Sequence, residues 1–173
     1  FSQVEVQNAA VSGATVADVV NHVRDLTPGS GFDLVLVFAG GNDVIRRTRR
    51  ADLRRSVREL LDALHGRGGP ILWMGMANVG LAPAFLPPLS WWLTCRTRRV
   101  SRLLAEELAL GGAHFVDFFH ERAVDPFSAE PDWYYAGDGV HPSAQAYEYC
   151  YQRMKPLILK ALSLGPLHGY GVL

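Results

Sequence analysis

The chain alternates short unbroken apolar runs with stretches whose apolar residues recur at helical spacing. Leu34-Val35-Leu36-Val37-Phe38 and Ile71-Leu72-Trp73-Met74 are continuous apolar runs, the pattern of strands buried on both faces of a parallel sheet. His114-Phe115-Val116-Asp117-Phe118 reads as another strand, and Val4 to Val6 alternates as a strand that ends at Asn8. The turn Ser12-Gly13-Ala14-Thr15 leads into a helix carrying Val16, Val19, Val20 and Val23 on one face. Thr15 and Asp18 stand at its N-cap and N3 positions, an acidic form of the capping box. Leu53, Val57, Leu60, Leu61 and Leu64 predict an amphipathic helix stopped by Gly66. A further helix is predicted from Trp92 to Leu110. A last one, capped by Ser143, carries Tyr147, Tyr151, Met154, Leu157, Ile158 and Ala161.

Loops fall between these elements, over residues 27–31 and over the proline-containing stretch from Asn78 to Ser90. Strand–helix alternation of this kind predicts an α/β sandwich built on a parallel sheet. One domain is expected over residues 1–163, with a C-terminal tail at 164–173. Open α/β sheets bind ligands beyond the carboxyl ends of their strands. That rule selects the turn after Asn8, the segment Gly40 to Asp43, and the loop from Asn78 onward, where the polar and glycine residues gather.

Composition narrows the picture modestly. The 173 residues are 49% hydrophobic and carry no net charge, so no overall field favours nucleic acid or an anionic surface. Arginines do cluster locally, at Arg46, Arg47, Arg49, Arg50, Arg54 and Arg55 and again at Arg96, Arg98 and Arg99. They read as a solvated helix face balanced by acids elsewhere, with an anion-binding or membrane-surface role as the alternative. Cys95 and Cys150 are the only cysteines and match no zinc spacing. No apolar run is long enough to span a membrane. The chain opens at Phe1, not at a methionine, almost directly into a strand-like segment. An N-terminal piece is therefore expected to precede it, and any signal peptide or anchor for export would lie there.

Three segments carry candidate chemistry. Asp138 and His141 lie three residues apart in a loop before a helix, with Gly139 permitting a tight turn and Pro142 fixing the backbone after the histidine. Acyl transfer needs an imidazole base held in one tautomer by a carboxylate, and an Asp-x-x-His turn supplies both. Gly40-Gly41-Asn42-Asp43 follows a buried strand. Asn42 can offer its amide N–H to an oxyanion, while Gly41 and Asp43 shape and support the turn. The ordinary alternative is a plain strand-to-loop turn. Gly13 opens a helix, so its N–H is an unpaired donor suited to a developing oxyanion. Ser12 lacks the Gly-x-Ser-x-Gly elbow and reads as a turn residue. Asn78, Phe85, Leu86, Trp91 and Trp92 are candidates for an apolar ester pocket, with Asn78 and Trp91 the chosen substrate-binding residues. The alternative is that the tryptophans pack on the sheet.

In this order and spacing, Ser12-Gly13, Gly40-Gly41-Asn42-Asp43 and Asp138-Gly139-Val140-His141-Pro142 resemble the motif blocks of the SGNH/GDSL hydrolases, over nearly the whole chain. The resemblance implies a flavodoxin-like three-layer α/β/α sandwich and Ser–His–Asp hydrolysis of carboxylic esters, lipid esters included, without metal or cofactor. It implies an oxyanion hole made by Gly13, Asn42 and the nucleophile's own N–H. The family's Gly-Asp-Ser block, which holds the nucleophile, has no counterpart after Phe1. The expected missing piece is a strand, that turn and a helix, about 30 residues by the size of a βαβ unit. Without it the chain is expected to lack its first strand and to have little esterase activity. Two other readings are a non-catalytic binding or remnant domain of this fold and a nucleotide-binding α/β domain. The second would want a glycine-rich phosphate loop, which is not present in the sequence.

Overall fold

The computed structural model describes residues 4–26 and 31–164. The expected tail beyond Leu164 and most of the 27–31 loop lie outside the described residues. Strands β1 (Val35–Phe38), β2 (Ile71–Met74) and β3 (His114–Val116) form a parallel sheet in that order. Val35 pairs with Ile71 and Phe38 with Met74; Leu72 pairs with His114 and Met74 with Val116. The helices are α1 (Val16–Asp25), α2 (Gly41–Ile45), α3 (Arg50–His65), α4 (Leu89–Leu110), α5 (Pro126–Ala129), α6 (Pro131–Tyr134) and α7 (Ala144–Leu164).

Side chains alternate across a strand, and the core divides accordingly. Val37, Ile71 and Trp73 face α1, α3 and α4, packing with Val16 and Val20, Leu53 and Val57, and Leu103 and Leu104. Leu72 and Phe118 face the other way, against Phe127 and Ala146, Cys150 and Met154 of α7. The result is the expected three layers. Trp73 is fully buried and its indole N–H finds the Ala39 carbonyl at 3.1 Å, the partner a buried Trp normally requires. The capping box forms as expected: Thr15 Oγ1 accepts from the Asp18 N–H, and Asp18 Oδ2 accepts from the Thr15 N–H at 2.8 Å.

Two differences from the sequence expectation matter. Val4 to Val6 is not a strand; both valines are exposed and no ladder reaches them. A strand persists where a neighbour accepts its hydrogen bonds, and β1, whose outer side is a sheet edge, does not pair with this segment. Leu36 and Phe38 on that edge strand are each 54% exposed. They lie beside an open apolar face of α7 that includes Tyr147 and Tyr151, and the Phe38 and Tyr147 rings meet edge to face. The second difference is α4, which starts at Leu89, three residues before the apolar periodicity becomes legible.

The arginines divide by element. Those of α3 pair with acids: Arg54 and Arg58 both bond Glu107 of α4, at 2.6 and 2.7 Å, and Arg55 bonds Asp52. Arg47, Arg96 and Arg99 have no ion pair to a carboxylate among the described residues. Both cysteines are free thiols, Cys95 exposed and Cys150 buried. Burial pushes the Cys150 thiol up to about 11.

Candidate active site

The site is assembled from three turns: one after β1, one before α1 and one between α6 and α7. After β1 the chain turns at Gly40, whose φ of +117° suits glycine alone. A Cβ there would stand 2.8 Å from Met76 Cε and 3.0 Å from Leu104 Cδ1. This tight turn starts α2 and sets Asn42 at its second position. Asn42 Nδ2 donates to the Ala14 carbonyl at 3.0 Å. An amide nitrogen carries two donors, so one N–H locks the side chain onto the Gly13–Ala14 turn. The other has no acceptor among the described residues. Gly13, at φ +77°, likewise keeps a backbone N–H without an acceptor among the described residues.

Asp43 is 1% exposed and ties this turn to α1, its Oδ2 accepting from the Val16 N–H at 3.0 Å. Burial raises its carboxyl above the ordinary range, and the Val16 bond partly offsets that. Its Oδ1 has no partner in hydrogen-bond geometry among the described residues, although the nearby Thr48 hydroxyl favours the charged form. From α4, Arg96 closes the other end of α2. Its guanidinium donates to the carbonyls of Val44 at 2.8 Å, Asp43 at 3.1 Å and Thr48 at 2.7 Å. Arg47 adopts the left-handed conformation there, at φ +59°, and the Thr48 N–H returns to the Asp43 carbonyl at 3.1 Å, a Schellman-type stop.

The histidine loop is equally tied down. Asp138 Oδ1 accepts from the N–H groups of Val140 and His141, both at 2.9 Å, and its Oδ2 stands 2.5 Å from His141 Nδ1. These bonds, the His141 N–H first, hold the Asp138 carboxyl well below the usual carboxylate range. An ionised Asp138 fixes the tautomer: Nδ1 carries the proton and Nε2 is left as the base. The Gly139 carbonyl accepts from the Ala84 N–H at 3.1 Å, and the Ala136 N–H donates to the His141 carbonyl at 2.8 Å. Ser143 caps α7, its Oγ accepting from the Ala146 N–H.

His141, Asn42, Gly41 and Gly13 line one cavity of about 810 Å³, which also runs along residues 6–11 and β1. Asp138 stands behind the histidine and Asp43 beneath the turn, neither in the cavity wall. Asn78 reaches the wall, but its side chain is engaged, Oδ1 accepting from Gly80 and Nδ2 donating to the His120 carbonyl. Trp91 is exposed and does not line the cavity. Sequence reasoning missed Arg96 and the Ala14 carbonyl. Arg96 carries no local signal in an arginine-rich stretch; its role exists only once α4 crosses α2.

The three turns share one cavity of a parallel α/β fold. Residues 1–149 match the model of the GDSL-like lipase/acylhydrolase family, and the chain belongs to that family. Solved structures share the fold. TesA superposes with a TM-score of 0.71 at 22% identity, over 91% of this chain and 79% of its own. AlinE4, an SGNH-hydrolase family esterase, gives 0.54 at 29% identity, over 88% and 74%. The lipase/acylhydrolase from Enterococcus faecalis gives 0.62 at 19%, over 91% and 75%. No curated protein matches the sequence.

Proposed function

We infer that the chain serves as an ester hydrolase, a reading its family membership supports. We propose that it works through a Ser–His–Asp triad in which Asp138 and His141 are the acid–base pair and the serine comes from a segment upstream of Phe1. The observation that carries this reading is the 2.5 Å contact of His141 Nδ1 with Asp138 Oδ2, with His141 in the same cavity wall as Asn42 and Gly13. The outer edge of β1, unpaired among the described residues, and the open apolar face of Leu36, Phe38, Tyr147 and Tyr151 support a further strand there. By themselves the 173 residues then turn over esters weakly or not at all.

The serine Oγ attacks the ester carbonyl carbon as its proton passes to His141 Nε2. The carbonyl oxygen becomes an oxyanion held by the Gly13 N–H and the second Asn42 N–H. Collapse expels the alcohol oxygen, which takes the proton from His141, and leaves an acyl-enzyme. Water, deprotonated by the same nitrogen, attacks the acyl carbon; the bond to Oγ breaks, Oγ takes the proton back from His141, and the carboxylic acid leaves. Asp138 stays ionised throughout and stabilises the imidazolium. The substrates are carboxylic esters, acyl or acetyl, including lipid esters. Loss of one oxyanion donor costs about 10²–10³ in kcat. That loss is expected for Asn42→Ala in the serine-bearing protein, with a larger one for His141→Ala, read with a p-nitrophenyl ester. An unchanged rate in either variant removes that residue from the mechanism.

A further inference from the structure

We infer that the start of α4 and the loop before it form a docking surface for an anionic lipid bilayer, beside the mouth of the active-site cavity. Four large apolar residues are exposed over seven positions: Leu86 at 73%, Leu89 at 45%, Trp91 at 67% and Trp92 at 41%. Isolated exposed apolar residues are ordinary, but a contiguous group marks a contact surface. The charge around this group is positive. The guanidinium carbons of Arg47 and Arg96 lie 5.1 and 5.6 Å from the Trp92 ring centroid, on a side chain whose face attracts cations. Arg47 and Arg99 are close enough to Arg96 to repel it electrostatically, partly offset by the attraction of the buried Asp43 carboxyl.

Like charges gathered in this way, with no carboxylate in ion-pair reach among the described residues, contrast with α3. There Arg54, Arg55 and Arg58 are all neutralised by acids. The partner must therefore be apolar in its interior and anionic at its surface. Tryptophan and leucine inserted at headgroup depth, with arginines on the phosphates, meet both demands. A soluble acidic polymer would meet only the second.

The surface is wired to the site at two points. Arg96, stacked on Trp92, holds the carbonyls of the turn that carries Asn42. Ala84, two residues before Leu86, bonds Gly139 in the loop that carries His141. Ile45, on the same turn as Asn42, is exposed and lines the cavity. A bilayer against Trp92 would therefore lie next to the turn that carries Asn42 and Ile45. The docking surface stands independently of the esterase reading; only delivery of lipid esters to His141 rests on it.

Sedimentation with lipid vesicles tests the surface without any turnover. The purified protein should pellet with phosphatidylglycerol/phosphatidylcholine vesicles in 0.1 M salt, and much less with phosphatidylcholine alone. Neutralising two arginines in R47Q/R99Q should weaken binding about 30-fold, at roughly 1 kcal/mol for each basic residue near an anionic surface. L86S/W91S, which removes two exposed side chains and leaves the core intact, should weaken it at least about tenfold. Equal binding to both vesicle types, no binding to either, undiminished binding of L86S/W91S, or heparin competing fully while L86S/W91S binds as well as the parent would each overturn the inference. Vesicle binding by the serine-bearing protein without any ester hydrolysis would count against the esterase reading alone.

Discussion

Gly40 and Asp43 show how single residues set the oxyanion turn. Any L-residue at position 40 must adopt φ near +117° and press on Met76. Gly40→Ala should lower stability by about 1–3 kcal/mol, from backbone strain plus modest overpacking, measured by urea denaturation. Asp43 is a buried carboxyl with a raised folded pKa. Its contribution to stability is therefore full below the unfolded value, about 3.9, and is lost as pH rises through the folded value. Asparagine can accept the same Val16 bond without the charge. The stability advantage of the parent over Asp43→Asn should accordingly shrink between pH 4 and pH 7; an advantage that grows would contradict the account. Asp138 behaves oppositely: its lowered carboxyl keeps it ionised under mildly acidic conditions, so Asp138 does not limit activity there. Asp138, His141 and Asn42 were legible in the sequence because each sits in a short motif whose chemistry is local. Asp43's bond to Val16 and the Asn42 bond to Ala14 were not, because each joins residues about 27 apart that meet only in the fold.

At the level of elements, the apolar runs and capping box gave β1, β2, α1 and α3 nearly to their ends, since burial on one or both faces leaves a clear period. The short α2 carries no helical signal in the sequence, where Gly40 to Asp43 reads as a turn offering Asn42 to an oxyanion. Five residues hold too little periodicity to be seen, and α2 is stabilised from outside by Arg96 and by the left-handed Arg47 stop. Arg96 is a positioning residue, acting on the oxyanion turn through carbonyls. Arg96→Met should cost about 2–3 kcal/mol, in line with bonds from a charged donor, and should lower kcat more than it raises KM. A loss of stability with unchanged kcat would limit Arg96 to a structural role. The Val4 to Val6 expectation failed for the converse reason. Its alternation was real, but a period alone does not supply a strand with a partner.

Across the whole molecule, the fold class and its family were legible because three motif blocks occur in the right order along a strand–helix alternation, and the family match over residues 1–149 agrees. What the sequence hid was the distribution of uncovered surface: the β1 edge beside α7 on one side, the Leu86–Trp92 patch on another. An unpaired strand edge flanked by apolar side chains invites pairing between copies. The 173-residue chain by itself should therefore self-associate as concentration rises, seen by light scattering, and a strictly monomeric species at high concentration would argue that the edge needs no strand. In the proposed mechanism a serine from outside residues 1–173 completes the triad with His141 and Asp138. The most direct test is to label the product of the complete coding sequence with a fluorophosphonate and locate the modified residue by peptide mass spectrometry. The account predicts a single labelled serine upstream of Phe1, with labelling abolished by His141→Ala. A label on Ser12, or one that persists in His141→Ala, would contradict it.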